Sequence, residues 1–209
     1  MKLFSQAQPS RRPSELARGE DNVPPSGRLR PAVFLDRDGT VIEDRGVLGE
    51  PSEVAFYPET VDALKRLHGR FLLFLVTNQP GVARGIITLE DVNRVNARVL
   101  SYLGEHGVTI TAVYVCPHQR ADGCRCIKPN PYFLRKAAAE HGVDLRRSFT
   151  IGDHPHDVEL ARAVGARGIY VQTGHGSKHL AELPPGEIVV SSLREAADWI
   201  LKDSSSSAL

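Results

Sequence analysis

Pro31-Ala-Val-Phe-Leu-Asp-Arg-Asp-Gly-Thr40 is the stretch on which the reading of the 209-residue chain turns. The apolar run Ala32 to Leu35 has the length and composition of a buried strand, and it stops abruptly at two acidic residues, Asp36 and Asp38. Gly39 lets the backbone turn tightly before Thr40. Two carboxylates at a strand tip repel each other unless a cation lies between them, so the pattern points to a hard-metal site. A carboxylate beside such a metal can also attack phosphorus and form an aspartyl-phosphate. An Asp-Gly turn after a strand is equally a feature of hairpins, so the residues downstream must decide.

Working outward, strands and helices alternate. After a loop with Gly46, Gly49 and Pro51, a helix is expected from Pro58 to about Gly69, with Val61, Leu64 and Leu67 at helical spacing. Phe71 to Val76 reads as a strand covered on both faces, ending in Thr77-Asn78-Gln79-Pro80-Gly81. A helix from Thr88 to Gly107 opens with Thr88 and Asp91 in capping-box spacing. Ile110 to Val115 is the next expected strand, followed by a cysteine-bearing loop and a helix from Pro131 to a Gly142 cap. Phe149 to Ile151 reads as a short strand that stops at Gly152-Asp153, and a helix is expected from Asp157 to Val164. Gly168 to Val171, Glu187 to Val190 and the amphipathic helix Leu193 to Leu201 complete the series.

This alternation predicts an α/β fold, a doubly wound parallel sheet with helices on both faces over residues 31–202. Residues 1–30, rich in Pro, Ser and Arg without periodicity, read as a disordered extension, and 203–209 as a flexible tail. Gly174-His175-Gly176 reads as a turn, and Trp199 as core. Ligands of such sheets sit beyond the carboxyl ends of the strands. Asp36/Asp38, Thr77/Asn78 and Asp153/Asp157 all fall there, which makes a site.

The composition excludes several partners. A net charge of +1 gives no footprint for nucleic acid or an anionic membrane. No apolar run approaches the roughly 20 residues that span a bilayer, and no hydrophobic segment follows Lys2 as in a signal peptide. Three clustered cysteines suit a reducing compartment, with the cytoplasm expected. Cys116, His118, Cys124 and Cys126 place four N/S donors within eleven residues, as two pairs separated by a five-residue loop. That spacing suits a closed tetrahedral Cys₃His zinc site, structural because no coordination position stays open.

Phe-Leu-Asp-Arg-Asp-Gly-Thr, then Val-Thr-Asn-Gln, Lys128-Pro and Ile-Gly-Asp-His-Pro-His-Asp resemble the four ordered motifs of the haloacid dehalogenase superfamily of phosphotransferases. The resemblance spans residues 31 to 175 and implies a role for each motif residue. Asp36 would attack phosphorus, and Asp38 would protonate the leaving oxygen and then deprotonate water. Thr77 would donate to a phosphoryl oxygen and Lys128 would neutralise charge. Mg²⁺ would be held by Asp36, the backbone carbonyl of Asp38, and Asp153, with Asp157 in support. Cys-Pro-His followed by Cys-x-Cys-x-Lys-Pro resembles the capless branch of D,D-heptose 1,7-bisphosphate 7-phosphatases and histidinol-phosphate phosphatases.

Thr77-Asn-Gln-Pro-Gly-Val-Ala-Arg84 and Asp44-Arg-Gly-Val47 are most similar to the heptose enzymes. The expected activity is therefore hydrolysis of a small phosphorylated substrate, a heptose 1,7-bisphosphate, with no nucleic acid or membrane partner and a monomer as the plausible state. Asp44, Arg45, Gly46, Val47, Asn78, Gln79, Pro80, Arg84 and His154 would contact substrate. Alternatives are a histidinol-phosphate or other small-molecule phosphatase, and, outside enzymes, an inactive scaffold using the zinc loop. Two positions depart from the family: Ile127 stands where Arg is common and His154 where Lys is frequent, removing charge from the substrate rim.

Overall fold

The computed structural model describes residues 28–206, so the expected N-terminal extension falls almost wholly outside the described residues. Six strands form one sheet: β1 (Ala32–Leu35), β2 (Leu72–Asn78), β3 (Ala112–Cys116), β4 (Phe149–Gly152), β5 (Arg167–Val171) and β6 (Ile188–Val190). Their order is β3-β2-β1-β4-β5-β6, and every neighbouring pair is parallel. The chain winds outward from β1 through β2 to β3, then crosses back to β4. The switch in winding falls between β1 and β4, where open α/β sheets leave a crevice for ligand.

Side chains on β1 alternate between two cores. Val33 and Leu35 join Leu73, Leu75, Ile151 and Ile169 under the helices α1 (Thr60–Leu67), α2 (Leu89–Glu105) and α6 (Leu193–Ser206). Ala32 and Phe34 face the other way, with Phe74, Tyr114 and Cys116, under α3 (Tyr132–His141) and α4 (Pro155–Arg162). Phe34 stacks on Phe74 at 5.0 Å, and Phe74 on Tyr114 at 6.0 Å, an aromatic row that crosses β1, β2 and β3 on this face. The doubly wound expectation therefore holds, and no separate cap domain is present among the described residues.

Some boundaries differ from the sequence reading, each for a local reason. β2 continues through Asn78 because its ladder with β3 extends to the pair Asn78 and Cys116. α4 begins at Pro155 rather than Asp157, since proline suits a first helical turn that needs no amide donor. α6 runs past Leu201 to Ser206, with Asp203 paired to Arg167, so the helix occupies part of the expected tail. A short helix, α5 (Gly176–His179), follows what read as a turn. No helix among the described residues is long and apolar enough to cross a membrane.

Candidate active site

A cavity of about 630 Å³ opens at the carboxyl end of the sheet. Asp36 and Asp38 enter it from the turn after β1, Thr77 and Asn78 from the end of β2, and Asp153 from the end of β4. Lys128 arrives from the cysteine loop that leads into α3. Motif residues far apart in sequence thus meet at one place.

The charges there are buried and interlocked. Lys128, only 4% exposed, lies 2.9 Å from Asp36 and 2.7 Å from Asp157. Burial alone would lower the pKa of that amine, but the two carboxylates outweigh it and hold it above the usual lysine value. Burial pushes the Asp36 carboxyl up to about 6 against the pull of Lys128. Burial and the charge of Asp36 push Asp153 up to about 8, despite a 2.7 Å hydrogen bond from the His175 amide. A buried cluster of Asp36, Asp153 and Asp157 with one ammonium has less positive charge than it can accommodate, which is the condition a divalent cation satisfies. Asp153 also fits closely over two glycines. A Cβ at Gly39 would come within 2.6 Å of its Cγ, and one at Gly174 would strike Gly39. Both glycines have positive φ, 79° and 52°.

Asp38 is held separately. Its carboxylate accepts from Arg37 Nε and Nη2 at 2.9 to 3.2 Å and from Gln79 Nε2 at 2.7 Å. Gln79 also donates to Thr77 Oγ1 at 2.8 Å. Arg37 is fully buried, and its Nη1 donates to Asn96 of α2 at 2.8 Å. Burial nevertheless raises the Asp38 carboxyl above its ordinary pKa.

The residues expected to contact substrate divide into two groups. Asp44, Gly46, Val47, Asn78, Gln79, Pro80, Arg84 and His154 line the cavity. Arg45 does not line it: the guanidinium is paired with Glu43 at 2.9 Å, in solvent. Asn78 and Gln79 have internal duties as well, since Asn78 Oδ1 accepts from the Lys128 amide at 3.2 Å. Asp157 sits at the first turn of α4, accepting from the His154 amide at 3.2 Å as well as from Lys128, a supporting arrangement.

Sequence reasoning missed four residues. Arg37 and Asn96 orient Asp38; the available signal was Asn96 lying on the apolar stripe of Val92, Val95 and Val99. His175 joins the Asp153 contact to Asp44, whose Oδ2 is 3.3 Å from its ring. Arg120, in the cysteine loop, reaches the cavity and donates to the ring of His156.

That loop gathers its own cluster. The Sγ atoms of Cys116, Cys124 and Cys126 are 3.1 to 3.6 Å apart, and His118 Nδ1 is 3.3 Å from Cys126 and 3.8 Å from Cys116. The edges of a tetrahedral zinc site with Zn–S bonds near 2.3 Å are roughly 3.6–3.8 Å; the 3.6 Å separations of Cys124 from Cys116 and Cys126 match that size, while the 3.1 Å between Cys116 and Cys126 is tighter. All three cysteines are free of disulfides.

The geometry has counterparts among known proteins. The HAD-hydrolase-like family model matches residues 125–196. D-glycero-beta-D-manno-heptose-1,7-bisphosphate 7-phosphatase of Bordetella bronchiseptica is 34% identical over 175 residues, covering 82% of this chain and 98% of the relative. The chain belongs to the heptose-1,7-bisphosphate 7-phosphatase family. The Pseudomonas aeruginosa member of that family is 33% identical over 176 residues, covering 83% of this chain and 99% of its own. The crystal structure of the B. bronchiseptica D,D-heptose 1,7-bisphosphate phosphatase, complexed with magnesium and phosphate, superposes with a TM-score of 0.77. It covers 83% of this chain and 99% of that one. The family resemblance, the HAD-like α/β fold and the phosphatase class inferred from the motifs are thus borne out.

Proposed function

We propose that this protein is a Mg²⁺-dependent phosphatase that removes the 7-phosphate of a D-glycero-D-manno-heptose 1,7-bisphosphate. The observation that carries the reading is one cavity holding Asp36, Asp38, Thr77, Lys128 and Asp153 in a chain that covers 98% of a heptose 7-phosphatase. The Asp36 carboxylate attacks phosphorus in line, displacing the sugar oxygen and forming an aspartyl-phosphate. Asp38, pinned by Arg37 and Gln79, protonates that oxygen and then takes a proton from the water that releases phosphate. Thr77 donates to a phosphoryl oxygen, and Lys128 balances charge on the same group. Asp36, the Asp38 carbonyl and Asp153 would hold Mg²⁺, which when bound offsets the negative charge of the phosphoryl oxygens. Cys116, His118, Cys124 and Cys126 would hold a structural Zn²⁺ that fixes the loop carrying Lys128. Free, zinc-ready thiols are in keeping with the cytoplasm.

The second phosphate needs cations that Ile127 does not supply. Arg125 stacks on Tyr132 at 4.3 Å and Arg45 pairs with Glu43, whereas Arg84 and Arg120 line the cavity. These two take the place of the missing basic residue, Arg120 being braced by His156.

Phosphate release from heptose 1,7-bisphosphate, histidinol phosphate and fructose 1,6-bisphosphate tests the reading. The heptose should have the highest kcat/KM, and parity among the three would overturn the named substrate. Arg120→Ala should raise KM for the bisphosphate by about tenfold while sparing a monophosphate, the loss of one charged hydrogen-bond donor.

A further inference from the structure

A second cavity, also of about 630 Å³, lies at the amino end of the sheet. Five arginines line it: Arg28, Arg70, Arg146, Arg147 and Arg167. Their convergence follows from topology. Arg28 precedes β1, Arg70 precedes β2, Arg146 and Arg147 precede β4, and Arg167 opens β5. Parallel pairing of these four adjacent strands brings all their amino ends to one edge.

Among the described residues, no acidic side chain lines this cavity. Arg28, Arg70, Arg146 and Arg147 have no carboxylate at ion-pair distance among the described residues. Arg167 is fixed in place: it pairs with Asp203, and its guanidinium lies 4.8 Å from the Phe149 ring and 5.4 Å from that of Trp199. Phe71 and Phe149 give the cavity an apolar wall. With Arg167 offset by Asp203, the four remaining like charges gathered at one edge repel one another, a cost that a bound anion relieves.

Guanidinium groups match phosphate oxygens in pairs, so one phosphate engages two or three of them, and the four left unpaired once Arg167 is taken by Asp203 call for more than one. The volume lies within the range of small-molecule sites. A nucleic acid would need a basic stripe extending beyond the cavity, which the overall charge does not provide. We propose that the amino-end cavity binds a small ligand carrying two or more phosphate groups, at a site separate from the catalytic cavity. This site stands on its own arginines and does not depend on which sugar the catalytic cavity accepts.

Calorimetric titration of the full chain with inorganic tripolyphosphate at low salt tests it, with ATP and inorganic phosphate titrated alongside. Tripolyphosphate, ATP or both should bind, inorganic phosphate at least about tenfold more weakly, and Arg146→Glu/Arg147→Glu should weaken the polyphosphate by about tenfold or more. The double variant should keep turnover within about twofold of the parent, because neither residue approaches the catalytic groups. Preference for ATP would mark a nucleotide site, and preference for tripolyphosphate a bare polyphosphate site. Should the double variant fail to fold, the exposed Arg70→Ser replaces it with the same expectation. Three results would overturn the site: polyphosphate binding that the substitutions leave unchanged, phosphate binding as tightly as tripolyphosphate, or an oligonucleotide binding more tightly than either.

Discussion

The two ends of the sheet hold opposite charge and hold it differently. At the carboxyl end Asp36, Asp38, Asp153 and Asp157 are at most partly exposed, and each has a named partner: Lys128, Arg37, Gln79 or the His175 amide. At the amino end four arginines are exposed and unpaired among the described residues, with only Arg167 braced. Buried, mutually hydrogen-bonded charges cannot reorganise cheaply, so the carboxyl end is set in advance for a developing transition state. Exposed guanidiniums keep their rotamer freedom and adapt to a ligand, paying an ordering cost on binding. The contrast is between a site built for chemistry and one suited to capture.

The largest expected effect breaks the carboxyl end alone. Asp36→Asn should reduce phosphate release by more than about 10⁴-fold while leaving circular dichroism unchanged, as loss of a nucleophile does. Retained turnover would remove Asp36 from its role. Next, Cys124→Ser should lower zinc content below one per chain and the melting temperature by about 5–10 °C. An unchanged metal content by mass spectrometry would show that the loop is held some other way. A smaller loss should follow Asn96→Ala, which leaves Arg37 Nη1 buried without its acceptor at a cost of about 1–3 kcal/mol. Denaturant unfolding reads that cost, and turnover should fall with it because Arg37 then orients Asp38 less well. A stability loss with unaltered turnover would separate Arg37 from catalysis. The smallest effect sharpens the comparison from the other side: Arg70→Ser should change stability by less than about 0.5 kcal/mol and leave kcat alone. A large change there would mean that the amino-end arginines are structural.

The proposed catalytic set was legible because Asp36, Asp38, Thr77 and Asp153 sit at strand termini and Lys128 follows the cysteine motif, each with distinctive neighbours. Asp36, Asp38, Thr77, Lys128 and Asp153 were all found from such contexts and all line one cavity. Arg45 shows the limit of that method. It lies in the loop expected to meet substrate, yet its guanidinium turns to Glu43 in solvent. Arg120 is the converse, an unremarkable loop residue that the folded cysteine cluster carries into the cavity. His175 likewise read as part of a turn, because its meaning lies in Asp153 and Asp44, which are distant in sequence.

The sequence by itself determined the alternation of strands and helices, the motif residues proposed for the chemistry and the close spacing of Cys116, His118, Cys124 and Cys126. Those properties are local: hydrophobic period, strand-end carboxylates and close donor spacing are written within a few consecutive residues. Only the tertiary structure decided which arginines line the carboxyl-end cavity, that Arg37 and Asn96 steer Asp38, and that five arginines from four strand starts share one cavity. Those depend on side chains brought together across the parallel sheet, a juxtaposition that sequence separation hides.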